Sequence, residues 1–550
     1  MDIRRTIIIL GLAISSYFLI LAYNGDYGQK PETAAIATIS EEAALDVPDT
    51  SDAHQAQAEA PNPNNPLAVH AVEAKADNTN LIQVITDTLV VTINLRGGEV
   101  VAVKLPAYPA SIDQPQVPFS LMDSSSERLY TAQSGLVGRD GLDKAGAALF
   151  TAEKSNFVLA QGQDELKVVL KAADAKTQVE KEFTFKRGDY LIGVNYKIQN
   201  TSTEPWQGVF YAQLKRDNSK DPSAGSQMGM AAYLGAALTT KDNRYEKVKF
   251  GDLEKGYKTV ETGGWAAMLQ HYFLSAWVPQ DQEQQYTYNG RVFNGNNLFG
   301  FYSAPMVVAA GASQEVGANL YVGPKIQKRL EEVAPHLELT VDYGWLWWIA
   351  QPLFWLLTFF HSLVGNWGVA IILLTISIKL LFFKPSAMSY RSMANMRKVA
   401  PKMNAIKEQY GDNREKLGQE MMKLYKEEKI NPLGGCLPIL IQMPVFIALY
   451  WVLMESVELR QAPFILWIKD MSVMDPYFIL PLIMGASMFF QMKLNPTPPD
   501  PMQARVMQFM PVIFTVFFLW FPSGVVLYWV VNNVLTMTQQ YIITKQIENS

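Results

Sequence analysis

At 550 residues the chain is too long for one ordinary domain, so a soluble unit and a membrane unit can each have a core of their own. The net charge of −5 excludes no class of partner, because residues 25–80 hold ten acids against Lys30 and Lys75 and the remainder is slightly basic. A single cysteine, Cys436, excludes an intramolecular disulfide and any multi-thiolate metal site.

The first element is an uncharged, mostly apolar run between Arg5 and Asp26, about the length a bilayer needs at ~1.5 Å per residue. A cleavable signal ends on small residues, whereas Ile20-Leu21-Ala22 begins with a large one, so residues 1–24 are expected to be an uncleaved anchor. Arg4 and Arg5 keep the N-terminus in the cytoplasm and direct the chain beyond the anchor outward. Residues 25–80 are rich in Ala, Pro, Asn and acids and nearly free of aromatics. They bury too little to offset chain entropy and are expected to form a disordered tether.

From about Leu81 the pattern becomes two-residue alternation. Leu89, Val91 and Ile93 oppose Val90, Thr92 and Asn94. Val179, Lys181, Phe183 and Phe185 run to a turn at Arg187-Gly188-Asp189, and Ile192, Val194, Tyr196 and Ile198 continue beyond it. Continued to about Pro335, this predicts a large exported β-sandwich over 81–335. A sugar-acting enzyme is conceivable on such a fold, but no acid/base pair accompanies its histidines, His271 and His336, which leaves a binding or scaffold domain.

Tyr343 to Ile378 carries no charge and is too long for one span. Gly365-Asn366 divides it into an aromatic-rich helix over 343–364, suited to the membrane interface, and a short span from Trp367 to Phe383. Further apolar runs cover Ile430 to Met454, Pro476 to Met492 and Val506 to Thr544, the last cut by Phe521-Pro522-Ser523-Gly524. With the anchor, six spans are expected, five of them in a core over 367–545, with both termini inside. The loop over 386–432 then lies in the cytosol, and its ten basic residues against six acids agree with the positive-inside bias.

That loop reads as a helical hairpin. Met396, Val399, Met403, Ile406 and Tyr410 recur at helical spacing, Gly411 ends the first helix, and Asp412 with Glu415 forms a capping box for a second seamed by Leu417, Met421 and Leu424. Pro401 is expected to interrupt the first helix. Arg397, Lys398, Lys402, Lys407 and Arg414 mark a docking face for a ribosome, a targeting factor or anionic lipid, or else simply a solvated loop.

Lys379 is the outstanding residue of the spans. A lysine at a span centre costs about 2.5–3.5 kcal/mol, which points either to function or to a stem that snorkels toward Lys384. Thr375 lies one turn before it, Gln442, Thr515, Tyr528, Asn532, Thr536 and Gln539 are polar positions in other spans, and together they define either a wet cavity or interhelical polar glue. The frequent methionines suit varied apolar partners or ordinary core filling. No phosphate loop or intramembrane acid/base set appears, so neither nucleotide, cofactor, metal nor covalent chemistry is expected. A solute transporter or channel would also use polar groups in a bundle, but no internal repeat or broken helix at mid-span supports it.

Asn431 to Pro438, Gln442-Met443-Pro444, Phe446, Ala448-Leu449-Tyr450, Ser456 to Pro463 and the turn at 521–524 resemble the YidC/Oxa/Alb insertase family along the whole chain. The resemblance implies a periplasmic all-β supersandwich on an α-helical polytopic bundle in the bacterial inner membrane. It also implies a hydrophilic groove, closed outward and open to lipid and cytosol, that inserts and folds nascent membrane proteins both alone and beside the SecYEG translocon and associated Sec factors. The family's groove charge falls on Lys379, commonly arginine in relatives; the charge is kept and the planar fork is lost. Thr375, Gln442, Tyr528 and Asn532 match polar groove positions, while Trp529 stands where a second tyrosine is familiar. The chain ends at Lys545 to Ser550 without the basic tail some members use, so ribosome docking is expected to rest on the hairpin.

Overall fold

The computed structural model describes residues 80–224, 232–411, 413–428, 437–494 and 501–548. The expected anchor over 1–24, the tether up to residue 79, and Cys436 with the motif residues before it lie outside the described residues.

Alternation from Leu81 onward produces two sheets, of 11 and nine strands among the described residues, joined almost throughout by antiparallel pairing. The parallel pair Leu81–Ile85 with Asn156–Val158 is an exception. Thr177–Lys186 and Leu191–Asn200 form the expected hairpin, with Phe185 opposite Ile192, Phe183 opposite Val194, Lys181 opposite Tyr196 and Val179 opposite Ile198. Gly188 takes φ +71° in its turn, a region that only glycine enters cheaply. The two sheets share one apolar core, with Val91 and Leu121 from one meeting Phe183 and Leu320 from the other.

The inward row of that hairpin includes a charge. Lys181 is fully buried, and its Nζ donates to the carbonyls of Gly97, Gly98 and Ser134 at 3.0, 2.8 and 3.2 Å. All three N–H donors of the ammonium are thereby used. Burial pushes its pKa down to about 7.

The domain ends with the strand Ser313–Pro324 and a short helix, α2 (Gln327–Val333), after α1 (Phe250–Leu253) earlier in the chain. Next come α3 (Trp347–Val364) and α4 (Trp367–Leu381), divided at the expected place. Gly365 closes α3 at φ +65°, and the Asn366 side chain caps α4 by accepting from the Val369 N–H at 3.0 Å.

The span expected to run straight to Phe383 instead stops at Phe382, where the chain bends by 67° into α5 (Phe383–Tyr410). Pro385 has no N–H to return to Leu381, so it fits the first turn of a new helix better than the interior of an old one. Pro401, by contrast, does not interrupt α5, which runs through it. The next helix, α6 (Arg414–Glu427), is capped by Asn413, one residue later than expected, whose side chain accepts from the Lys416 N–H at 3.1 Å.

The remaining helices are α7 (Leu437–Glu455), α8 (Ile479–Lys493), α9 (Pro501–Phe518) and α10 (Ser523–Glu548). The α9–α10 break falls at Phe521-Pro522 as expected. The first of the six expected spans lies outside the described residues, and the described helices divide the others unevenly. Among the described residues Gly344–Val364 is long and apolar enough to cross a membrane, and the bent α4–α5 pair becomes a second candidate when counted as one span. Ile441–Glu455, Ile479–Lys493 and Arg505–Phe518 are apolar but shorter. At ~1.5 Å per residue, the 15 residues of α8 reach about 22 Å against a hydrocarbon core of about 30 Å. The run from Pro476 overstates α8, because Pro476 to Phe478 lie in the turn before it. The aromatic segment over 343–364, expected at the interface, is itself the longest apolar candidate.

α10 packs against α8, α4 and α5, and α3 packs against α4 and α7. One apolar cluster continues from the β domain at Trp265 and Tyr321, through Leu330, Leu337 and Leu346, to Leu374, Leu449 and Tyr528 in the bundle.

Candidate functional site

Lys379 lies at the last turn of α4, just before the bend, half-buried. Its Nζ donates to Thr536 Oγ1 at 2.8 Å and to Gln442 Oε1 at 3.3 Å. Gln442 passes the connection on: its Nε2 donates to the Tyr528 hydroxyl at 3.1 Å and to Asn532 Oδ1. Thr536 closes the circuit by donating to the Asn532 carbonyl at 2.6 Å. Three helices far apart in sequence, α4, α7 and α10, thus meet through one hydrogen-bonded chain.

The electrostatics are lopsided. Lys379 is opposed by neutral oxygens, and no carboxylate among the described residues lies within ion-pair distance of it. Two of its three N–H donors are engaged there, so the ammonium keeps charge and a donor for an arriving acceptor. It lines a small pocket with Ile378, Phe382, Pro385, Ser386, Ile441 and Gln442, at the elbow between α4 and α5. Lys384, the residue toward which a snorkelling stem would point, is exposed beyond the bend, while the Lys379 stem turns inward to α7 and α10.

Of the residues singled out in the sequence, Lys379, Gln442, Tyr528, Asn532 and Thr536 come together. Thr375 is buried on the same face, but its hydroxyl donates to the Ile371 carbonyl of its own helix at 2.7 Å. Thr515 is elsewhere, donating to the Pro511 carbonyl at 2.6 Å and packed on Gly485 of α8. Gln539 donates to the Phe383 carbonyl at 3.1 Å and so ties α10 to the elbow. Sequence reading missed Ser386 in the pocket wall and the pair Asn533 Nδ2 to Ser487 Oγ at 2.9 Å, which joins α10 to α8. The signal was present in the neighbouring asparagines, one facing each way around the helix.

On the hairpin, Val399, Met403 and Leu424 are buried together, flanked by Met396, Ile406, Met421 and Tyr425. Tyr410, expected in the seam of the first helix, is not in this cluster, whereas Tyr425 of α6 is. Lys402 pairs with Glu428 at 2.5 Å across the two helices. Lys398 and Lys407 each have a partner, and the side chains of Arg397 and Arg414 lie outside the described residues.

The far end of the bundle is covered by the segment 456–478, in which Leu459, Ile468 and Met471 are buried. The Ser523 and Gly524 N–H groups donate to the carbonyls of Val473 and Met471 at 2.8 and 2.9 Å, and Asn366 Nδ2 donates to the Phe464 carbonyl at 3.0 Å. Asn366 starts α4, so this cover and Lys379 stand about 20 Å apart along the helix. The cover and the Lys379 pocket thus lie at opposite ends of α4.

Residues 81–356 match the YidC periplasmic domain family, and residues 359–550 match the 60Kd inner membrane protein family. The chain belongs to the YidC family. The membrane protein insertases YidC of Azotobacter vinelandii and Stutzerimonas stutzeri are each 54% identical to it over 556 residues, covering 100% of this chain and 99% of the relative. That of Pseudomonas putida is 53% identical with the same coverage. A crystal structure described as an active YidC insertase with the first transmembrane domain resolved covers 86% of this chain and 93% of its own, at 19% identity and a TM-score of 0.39. A galactose mutarotase-like protein from Lactobacillus casei covers 44% of this chain and 99% of its own, at 9% identity and a TM-score of 0.29. These low scores add nothing to the family match. The β domain is accordingly a periplasmic domain, and the helical region is the inner-membrane part of the chain.

Proposed function

We propose that this membrane protein insertase receives the polar exported tail of a client at the Lys379 pocket while the client's apolar span passes out along the bundle into lipid. The observation that carries this reading is the Lys379–Gln442–Asn532–Thr536 chain, which among the described residues holds a positive charge against neutral oxygens. A polar tail entering hydrocarbon loses its water, and replacement donors and acceptors lower that cost. No covalent step is needed.

In this orientation the pocket faces the cytosol, the termini are cytoplasmic and the chain crosses the inner membrane six times, the anchor included. The helices α4 and α8, 15 residues each, are short for a bilayer, which favours local thinning around the pocket. The insertase works alone and beside the SecYEG translocon with its associated factors, also as a chaperone for folding clients. A ribosome docks on the hairpin through Arg397, Lys398, Lys402, Lys407 and Arg414, with Lys402 paired to Glu428 in its absence.

Reconstitution of the full chain in liposomes with a small single-span client, scored by protease protection of the client's tail, tests the proposal. Protection well above that in empty liposomes is expected. No gain together with flux of small solutes would replace it with the transporter reading. Full insertion by Lys379→Ala would reduce the lysine to an anchoring residue.

A further inference from the structure

The periplasmic domain and the bundle meet at the outer end of α7, where the contact is polar as well as apolar. The last four carbonyls of a helix have no partner within it. At α7 one of them, the Met454 carbonyl, lies 2.9 Å from Nε2 of His271 in the β domain. A carbonyl only accepts, so Nε2 carries the proton. The ring is buried and stacked on Tyr272 at 3.8 Å, and the His271 backbone N–H donates to Asp221 Oδ2 at 2.6 Å. Burial and the nearby Lys325 cation hold its pKa down at about 4, so the ring is neutral at ordinary pH.

The next residue, Glu455, is 2% exposed and sets a carboxylate at the negative end of the helix. Lys325, 3% exposed, places its Nζ 3.7 Å from Glu455 Oε2. Lys325 is itself fixed, its backbone N–H donating to the Tyr272 carbonyl at 2.9 Å. Two residues of the β domain thus cap a helix of the bundle, one on its carbonyl and one on its charge. Buried ion pairs are weak as sources of stability, but they penalise every arrangement in which one partner is left alone. Only one axial position of α7 satisfies both contacts.

Gln442 stands on the same helix, 13 residues before Glu455 and about 20 Å away along its axis. We infer that His271 and Lys325 are positioning residues for the pocket: by fixing the outer end of α7 they set where Gln442 meets Lys379, Tyr528 and Asn532. The functional half of this inference rests on the proposed role of the pocket.

The test uses the full chain in proteoliposomes with Cys436 replaced by Ser and spin labels at Met443 on α7 and Val534 on α10. Both positions are exposed and outside the hydrogen-bonded chain. In Lys325→Met and His271→Phe the label distance is expected to shift by roughly 2 Å, the scale of helix displacements in switching proteins, or to broaden. It should return in His271→Gln, which restores a donor, and in the exchange Lys325→Glu with Glu455→Lys. Client insertion should fall and recover with it. An unchanged distance in the folded variants overturns the inference. If Lys325→Met does not fold, the comparison of His271→Phe with His271→Gln decides in the same way. A shifted distance with full insertion upholds the coupling and contradicts the pocket's role instead.

Discussion

Two lysines sit in apolar surroundings and are satisfied in different ways. Lys181 gives every N–H to a backbone carbonyl and serves as a clasp between the two sheets of the periplasmic domain. Lys379 gives two to side chains and faces a pocket. The difference separates a structural ammonium from one able to meet a ligand. For Lys181 the sign of the pH effect is fixed by its lowered pKa of about 7 against about 10.4 in an unfolded chain. Between these values the unfolded chain binds more protons, so stability rises with pH across this window. Denaturant melts of the full chain, followed by the buried Trp206, Trp265 and Trp277, should show that rise, and Lys181→Met should remove it. An identical pH slope in the variant would assign the effect to other groups.

Among the elements, the junctions are where single changes should tell most. Asn366→Ala removes the cap of α4 and its bond to the Phe464 carbonyl, and is expected to cost about 1 kcal/mol, read as a lowered melting temperature in detergent. A Cβ at Gly485 would collide with Thr515 Oγ1, so Gly485→Val should separate α8 from α9 and lower stability by more than the cap does. Unaltered melting of Gly485→Val would show that the two helices are not closely packed. These junctions also show what sequence makes visible. Gly365-Asn366 and Phe521-Pro522 were legible because turn and cap chemistry is local. The 179–198 hairpin was legible because its period of two fixes register. The elbow at Phe382 was not, although Pro385 carried its signal, because the surrounding apolar run looks continuous. Lys181 appeared in the inward row without its burial being recognised: the carbonyls that satisfy it come from residues 47 to 84 positions away. The Lys379 cluster was legible as a set of polar positions, but which of them touch depends on helix rotation, and Thr515 turns toward α8.

On the scale of the whole molecule, an apolar cluster and a buried polar contact join the periplasmic domain to the bundle. The bundle itself brings α4, α7 and α10 together around the Lys379 pocket. Thin barriers and a displaced water shell both lower the cost of moving a polar tail, so insertion should slow in liposomes of longer acyl chains. Equal rates across bilayer thickness would remove thinning from the mechanism. The charge itself is tested most directly by insertion of an acidic-tailed, single-span client into liposomes holding the natural chain, Lys379→Arg or Lys379→Glu. The account predicts that Lys379→Arg retains insertion and Lys379→Glu loses most of it; equal insertion by all three would contradict it.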